Sequence, residues 1–223
     1  MIWASTAAIA IVISLAAPGF SDAQTTQSFG GRLYRSVFDG GTERLLTNSD
    51  RNKVPVSLRV RYDHFVRCRA KFRSGLPQPK TFFEEAASTH QRAIERALAC
   101  LFATPGVPAA ATEYVRNARI LYEWEGLSSS PIEEADYAEA YIAEHPRSQF
   151  VPYLYVFAAE RWRYAFEFFV GERDSEGIAR SSAKYRELIA RAREDDPFVR
   201  LVANDLDEQP YVTTDVGKHP RGR

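Results

Sequence analysis

The sequence predicts an all-α protein of 223 residues, with six or seven main helices in one domain. Along most of the chain, apolar residues recur at steps of three and four, which places them on one face of a helix. Clusters of proline and glycine at 74–79 and 104–108 separate these periodic segments. No strand-forming run stands out. With 45% hydrophobic and 13% aromatic residues, the composition is that of a globular protein and excludes a disordered or fibrous chain.

Several of the periodic segments begin or end at residues that favour a helix terminus. Ser130 is a predicted N-cap, and Pro131 after it lacks an amide proton that the first turn would not use. Ser148 is a predicted cap of the following helix, which we expect to end at Gly171. The predicted helices cover residues 58–72, 81–103, 111–125, 130–144, 148–171, 175–193 and 196–206.

The segment 148–171 is apolar on most of its sides. A helix of this kind contacts neighbours on several faces, so we expect it at the centre of the fold. The preceding helix ends at His145-Pro146, immediately before this segment. A helix that stops and is followed at once by another is typical of stacked antiparallel hairpins.

Residues 135–206 carry two similar units. The first unit contains Tyr137, Ala138, Tyr141, Ile142, His145-Pro146 and Ser148, and the second echoes it with Tyr185, Ile189, Asp196-Pro197 and Val202-Ala203. The pattern resembles the tetratricopeptide-like (TPR-like) helical repeats of bacterial envelope proteins, although the two X-Pro junctions lie about 51 residues apart and TPR repeats are about 34 residues long. The resemblance covers about a third of the chain. It implies stacked hairpins and binding of peptides or proteins.

Residues 1–23 are predicted to be a secretory signal peptide. The stretch 9–17 is apolar, Pro18-Gly19 interrupts it, and Ser21-Asp22-Ala23 matches a small-x-small cleavage site. No lysine or arginine precedes the apolar stretch, which leaves an uncleaved anchor as the alternative. The uncharged run of residues 1–17 is shorter than the roughly 20 residues that span a bilayer. We therefore expect cleavage near Ala23 and a periplasmic or secreted chain without a transmembrane segment.

The sequence predicts three further divisions of the exported chain. Residues 24–56 are expected to be flexible or partly helical, and residues 57–206 to form the helical domain. The polar residues 207–223 contain three glycines or prolines beyond residue 216 and are expected to be a disordered tail.

Cys68 and Cys100 are the only cysteines. An oxidising compartment permits a disulfide between them. If the first two helices form a hairpin that turns near Pro77, however, the two cysteines lie about 20 Å apart along the axis. A disulfide needs Cα atoms within about 7 Å. The sequence therefore leaves two alternatives: two buried thiols, or a bridge between helices that are packed differently from a tight hairpin.

The formal net charge is zero, but the charges are segregated along the chain. Residues 32–80 carry 12 basic and 4 acidic side chains, a net charge of +8, and residues 81–144 carry 4 basic and 11 acidic ones, a net charge of −7. One interpretation is that neighbouring helices neutralise each other. The other is a cationic face for an anionic polymer or lipid headgroups, formed by Arg59, Arg61, Arg67, Arg69, Lys71 and Arg73. Export makes nucleic acid a poorer candidate partner.

The sequence contains no recognisable catalytic, cofactor or metal motif, so we predict no cofactor and no metal site. No two of the four histidines lie three or four residues apart, as a helical metal site requires. His90 lies on the apolar stripe of residues 81–103 and is expected to be a hydrogen-bonded buried histidine. Glu123 and Glu125 flank Trp124, but residues two apart on a helix point in different directions, which argues against a glycosidase pair.

A second group of candidate binding residues lies on the central helix. Tyr153, Arg161, Trp162, Arg163 and Tyr164 combine cations with aromatic rings, as a groove for a carboxylate-bearing ligand would. The alternative is that Trp162 packs inward while the arginines pair with nearby acids. The sequence thus favours an exported protein-interaction or scaffold module. A divergent envelope hydrolase is the alternative, and it would collect His90, a carboxylate and Arg161 or Arg163 in one cleft.

Overall fold

The computed structural model describes residues 51–52, 54–120 and 126–208. The predicted signal peptide, most of the segment 24–56, the Glu123–Trp124–Glu125 motif and the tail beyond 208 lie outside these residues. Seven α-helices and a short 3-10 helix (Val56–Leu58) occur in the described part of the chain, and it contains no strand. The all-α prediction is therefore confirmed. The helices are α1 (Arg59–Lys71), α2 (Phe82–Leu101), α3 (Val107–Asn117), α4 (Ser129–Glu144), α5 (Val151–Glu172), α6 (Ser175–Ala192) and α7 (Pro197–Glu208).

Helix α5 is at the centre of the fold, as its apolar composition predicts. Fourteen of its 22 residues are buried, and it contacts α4, α6 and α7. The preceding helix α4 ends where predicted: the backbone amide of His145 donates to the carbonyl oxygen of Tyr141, and His145 is the C-cap. The central position of α5 means that polar side chains on it meet other helices rather than water.

Helix α3 begins four residues earlier and ends eight residues earlier than predicted. The cluster at 104–108 predicted a helix stop that included Pro108. In the structure Pro108 lies in the first turn of α3, where the ring is tolerated and the missing amide proton is not needed. Gly106 precedes the helix with a φ of 85°, a conformation that glycine adopts without strain. At the other end, Ala118 is extended.

The predicted cap of α4 is also wrong. The helix begins at Ser129, so Ser130 lies inside its first turn, and the N-cap residue Ser128 makes no side-chain cap bond. Helix α6, in contrast, has a strong cap. Asp174 Oδ1 accepts hydrogen bonds from the amides of Glu176 and Gly177, both at 3.0 Å. A carboxylate at this position also interacts favourably with the helix dipole.

Cys68 and Cys100 form a disulfide, with Cα atoms 5.5 Å apart. The assumption of a tight hairpin was wrong: residues 72–81 form a long non-helical linker, and the bridge joins the last turn of α1 to the last turn of α2. The guanidinium of Arg61 donates to the Leu101 carbonyl oxygen at 3.1 and 2.9 Å. Arg61 and Cys68 are seven residues apart on α1, about 10 Å, yet they meet consecutive residues of α2. In a tight antiparallel hairpin the last turn of α1 would lie beside the first turn of α2, so the bridge joins helices that are packed differently from that arrangement.

Polar contacts at both of its ends attach α7 to the rest of the fold. At the start, Asp196 Oδ1 accepts from the amides of Phe198 and Val199 and also pairs with Arg61 Nη1 at 2.6 Å. Near the end, Arg163 Nη1 donates to the Leu206 carbonyl oxygen at 2.6 Å, where a cation is favoured by the helix dipole. These contacts join residues far apart in sequence and fix where α7 packs.

The first turn of α6 packs closely against α5 at Gly177, and replacing this glycine gives a first prediction. A Cβ on Gly177 would lie 2.4 Å from the Phe169 ring. We expect Gly177→Ala to lower the free energy of unfolding by about 1–3 kcal/mol, because the buried ring must move. Urea unfolding measures this change.

Gly171→Ala is the matched control for this substitution. A Cβ there meets nothing within 4 Å, and Gly171 lies in the last turns of α5. Alanine favours a helix, so this variant should be unchanged or more stable by up to about 1 kcal/mol. Equal stability of the two variants would contradict the close approach at Gly177.

Candidate functional site

Arg161 lies in the interior, between two carboxylates. Its Nε donates to Glu134 Oε2 of α4 at 2.6 Å, and its Nη1 donates to Glu160 Oε2. The guanidinium also lies over the Phe157 ring, 4.2 Å from the ring centroid. All three charged side chains are buried. This arrangement joins α4 to α5 and leaves Arg161 inaccessible to a ligand from solvent.

Trp162 packs inward as well, and its indole nitrogen donates to Glu139 Oε1 at 2.7 Å. The other oxygen of Glu139 accepts from Lys184 Nζ at 2.5 Å, and this hydrogen bond raises the pKa of Lys184. Burial, and next the charge of Glu139, raises the pKa of Asp136 nearby. Together these groups form a polar connection between α4, α5 and α6 at the edge of the core.

The remaining members of the predicted groove are also engaged by the fold. Arg163 is buried and donates to the last turn of α7, as described above. Tyr153 is completely buried, and burial raises its pKa well above the ordinary value. Tyr164 is half-buried. Four of the five predicted residues are therefore interior, and the alternative in which Trp162 packs inward and Arg161 pairs with acids matches the structure.

The six predicted cationic residues divide into two groups. Arg69 is buried with its guanidinium 5.8 Å from the Phe65 ring centroid. Arg59 donates to the carbonyl oxygens of Asn52 and Val54, and Arg61 links α1, α2 and α7. These three cations are engaged by contacts within the fold, and the acid that pairs with Arg61, Asp196, lies outside the acidic segment 81–144.

Arg67, Lys71 and Arg73 are exposed, and none of them forms a hydrogen bond or ion pair with another described residue. Arg67 and Lys71 share the outer face of α1 with Val60, because residues seven and eleven apart lie on one side of a helix. Val60 and Val56 are 79% and 76% exposed. We use the name α1 outer face for these five exposed residues, of which Val56 lies in the 3-10 helix before α1 and Arg73 lies just beyond the end of α1. It combines three cations with two exposed apolar side chains.

The catalytic alternatives receive no support from the described residues. His90 is exposed, which corrects its expected burial. It therefore does not share a buried cleft with Arg161. Within residues 51–52, 54–120 and 126–208, no group of three or more His, Cys, Asp or Glu side chains is placed to hold a metal ion.

An open pocket of about 380 Å³ lies where the α1–α2 linker passes α2 and α3. Its walls are linker residues 76–80, three side chains of α2 (Glu84, Ser88 and Gln91) and Arg116 of α3. We call it the linker pocket. The prolines and glycine of residues 74–79 had predicted only a helix stop here. The length of this segment and the two prolines at 77 and 79 were the sequence features that could have indicated an extended linker instead of a tight turn.

No family model, curated protein sequence or solved structure matches the chain. In the described segments, none of the helices is both long and apolar enough for a membrane span. The site residues must therefore be interpreted from their own chemistry.

Proposed function

We propose that the chain is an exported helical protein that acts as a protein-interaction or scaffold module in the cell envelope. The observation that carries the proposal is the Cys68–Cys100 disulfide, because such bridges persist in oxidising compartments and are rare in the cytosol. The apolar stretch of residues 9–17 and the cleavage pattern at 21–23 point to the same compartment.

The interaction role is supported by the way the helices pack. The most extensive contacts join helices that are consecutive in the chain: α5 with α6, α4 with α5, and α2 with α3. This is the pairing expected of TPR-like stacked hairpins, which present extended surfaces to peptides and proteins. The buried polar side chains of α5 hold helices together, as Arg161 does with Glu134. A divergent envelope hydrolase, the other candidate, would need the cleft with His90 that is not assembled in the described residues.

Two measurements test the proposal. Cell fractionation with N-terminal sequencing should find the chain outside the cytoplasm and starting at Gln24; a cytoplasmic chain that retains Met1 contradicts export. Cross-linking in intact cells, followed by purification under denaturing conditions, should recover a defined envelope protein. Hydrolysis of envelope polymers by the purified chain would instead support the hydrolase.

The α1 outer face favours a second candidate function, the binding of anionic polymer or lipid headgroups. Each lysine or arginine near an anionic membrane contributes about 1 kcal/mol. We therefore expect the Arg67→Gln/Lys71→Gln/Arg73→Gln variant to bind phosphatidylglycerol-containing vesicles or a sulfated polysaccharide at least tenfold more weakly. Co-sedimentation and affinity chromatography measure the two arms. Binding should also weaken as salt rises, because the Debye length falls from about 10 Å at 0.1 M ionic strength to about 3 Å at 1 M.

The control for this experiment removes three exposed arginines on other elements, Arg147, Arg186 and Arg191, by changing each to Gln. The two triple variants have the same net charge, so a specific face predicts a loss only in the first. Equal losses would show a general charge effect, and salt-independent binding would contradict the electrostatic interpretation.

A further inference from the structure

The α1–α2 linker is attached to the helices at three successive points. Glu95, buried in α2, accepts hydrogen bonds from the Ser74 hydroxyl and from the Gly75 amide, the latter at 3.0 Å. The same carboxylate accepts from Thr112 Oγ1 of α3 at 2.6 Å. A single buried side chain thus connects the linker, α2 and α3.

The other two attachments lie further along the linker. Arg92 Nη2 donates to the Pro77 carbonyl oxygen at 3.4 Å and to Gln78 Oε1 at 3.3 Å. The Lys80 amide donates to Glu84 Oε2 at 2.6 Å, and Oγ1 of the N-cap residue Thr81 accepts from the Glu84 amide at 3.1 Å. The proline rings add rigidity because they fix φ. The walls of the linker pocket are therefore formed before any ligand arrives.

The chemistry of these walls defines a ligand class. Leu76, Pro77 and Pro79 provide an apolar surface. The Lys80 and Arg116 side chains line the same pocket, are exposed, and make no hydrogen bond or ion pair within the described residues. With Glu84 included, the three charged residues of the pocket sum to +1. This excess matches a monoanion better than a doubly charged phosphate.

We infer that the linker pocket binds the free C-terminal carboxylate of a peptide, with an apolar side chain of that peptide against Leu76 and the two prolines. Lys80 and Arg116 contact the carboxylate, and Arg116 suits it because a guanidinium forms paired hydrogen bonds with carboxylate oxygens. A volume of about 380 Å³ lies within the range of small-ligand pockets and accommodates the last residues of a peptide. Capture of a chain terminus is an established mode of peptide recognition. This inference rests on the proposed interaction function and names the partner feature recognised.

The test compares N-acetyl-Ala-Leu with its C-terminal amide, by NMR titration of the chain purified with its disulfide intact. We expect the carboxylate form to shift the backbone resonances of residues 76–80 and to bind at least tenfold more tightly than the amide. Lys80→Gln/Arg116→Gln should weaken binding of the carboxylate form at least tenfold. The control Arg147→Gln/Arg186→Gln removes two charges outside the pocket and should leave it unchanged.

Equal affinity for the acid and the amide, or no shifts at millimolar peptide, would overturn the inference. Tighter binding of inorganic phosphate than of the peptide would overturn the choice of carboxylate. The proposed function fails separately: if the Lys80→Gln/Arg116→Gln variant still cross-links the envelope partner, the pocket assignment is wrong and the interaction role stands. If the unsubstituted chain cross-links no partner, the role is wrong whatever the peptide does.

Discussion

Arg161→Leu should lower the free energy of unfolding by about 3–5 kcal/mol, because it leaves two buried carboxylates without their shared cation. Glu134 and Glu160 are both buried, and the 2.6 Å contact from Arg161 to Glu134 joins α4 to the central helix. The contact with Phe157 is lost as well. Chemical denaturation monitored by circular dichroism measures the change.

The pH dependence of this variant identifies the cause. Removing a cation from beside a buried carboxylate favours the neutral, protonated form in the folded state, so the cost of the substitution grows as pH rises. The deficit of the variant relative to the unsubstituted chain should therefore be smaller near pH 4.5 than at pH 7.5. A deficit that does not change with pH would indicate lost packing instead.

Arg119→Leu is the control for the removal of an ion pair. Arg119 Nη1 lies 2.8 Å from Oε2 of Glu133, which is on α4 next to Glu134. The Arg119 and Glu133 side chains are 74% and 44% exposed. Exposed pairs contribute about 0–1 kcal/mol, so this variant should remain close to the stability of the unsubstituted chain. Similar losses in both variants would contradict a special role for the buried network.

The parts of the fold that could be predicted from sequence are those set by local pattern. The apolar sides of α5 indicated its central position, and His145-Pro146 marked the end of α4. Local sequence patterns gave the wrong helix boundary where one residue type is compatible with two structures. Pro108 was interpreted as a helix stop, yet proline is equally acceptable in a first turn, and only the packing of Val107 and Ala111 in the core decides between them.

The candidate sites depended on contacts that sequence spacing does not encode. Arg161 was expected to pair with an acid, but its main partner outside its own helix, Glu134, is 27 residues away. Four of the five groove candidates are interior because α5 is surrounded by other helices, although the same apolar pattern had predicted that position. The linker pocket depends on Glu95, whose role emerges only when the linker and α3 meet around it.

The Cys68→Ala/Cys100→Ala variant should be less stable than the oxidised chain by about 3–4 kcal/mol. The bridge joins residues 32 apart in sequence. Closing a loop of this length lowers the conformational entropy of the unfolded chain, which destabilises the unfolded state by that amount. Reduction of the unsubstituted chain should produce a similar loss, without the change in side-chain volume at Cys100. Adding reductant to the variant should change nothing, which controls for effects of the reagent. Two free thiols in unfolded, unreduced protein would contradict the bridge itself.

The loss should be concentrated at α1. Only three residues of this helix are buried, Tyr62, Phe65 and Arg69, against fourteen in α5, so the bridge and the Arg61 contacts provide much of its attachment. Amide hydrogen exchange in α1 should therefore accelerate on reduction at denaturant concentrations that leave α5 protected. Uniform acceleration in both helices would mean that α1 unfolds only with the whole domain. In that case the disulfide stabilises the fold globally rather than holding α1 alone against the rest of the domain.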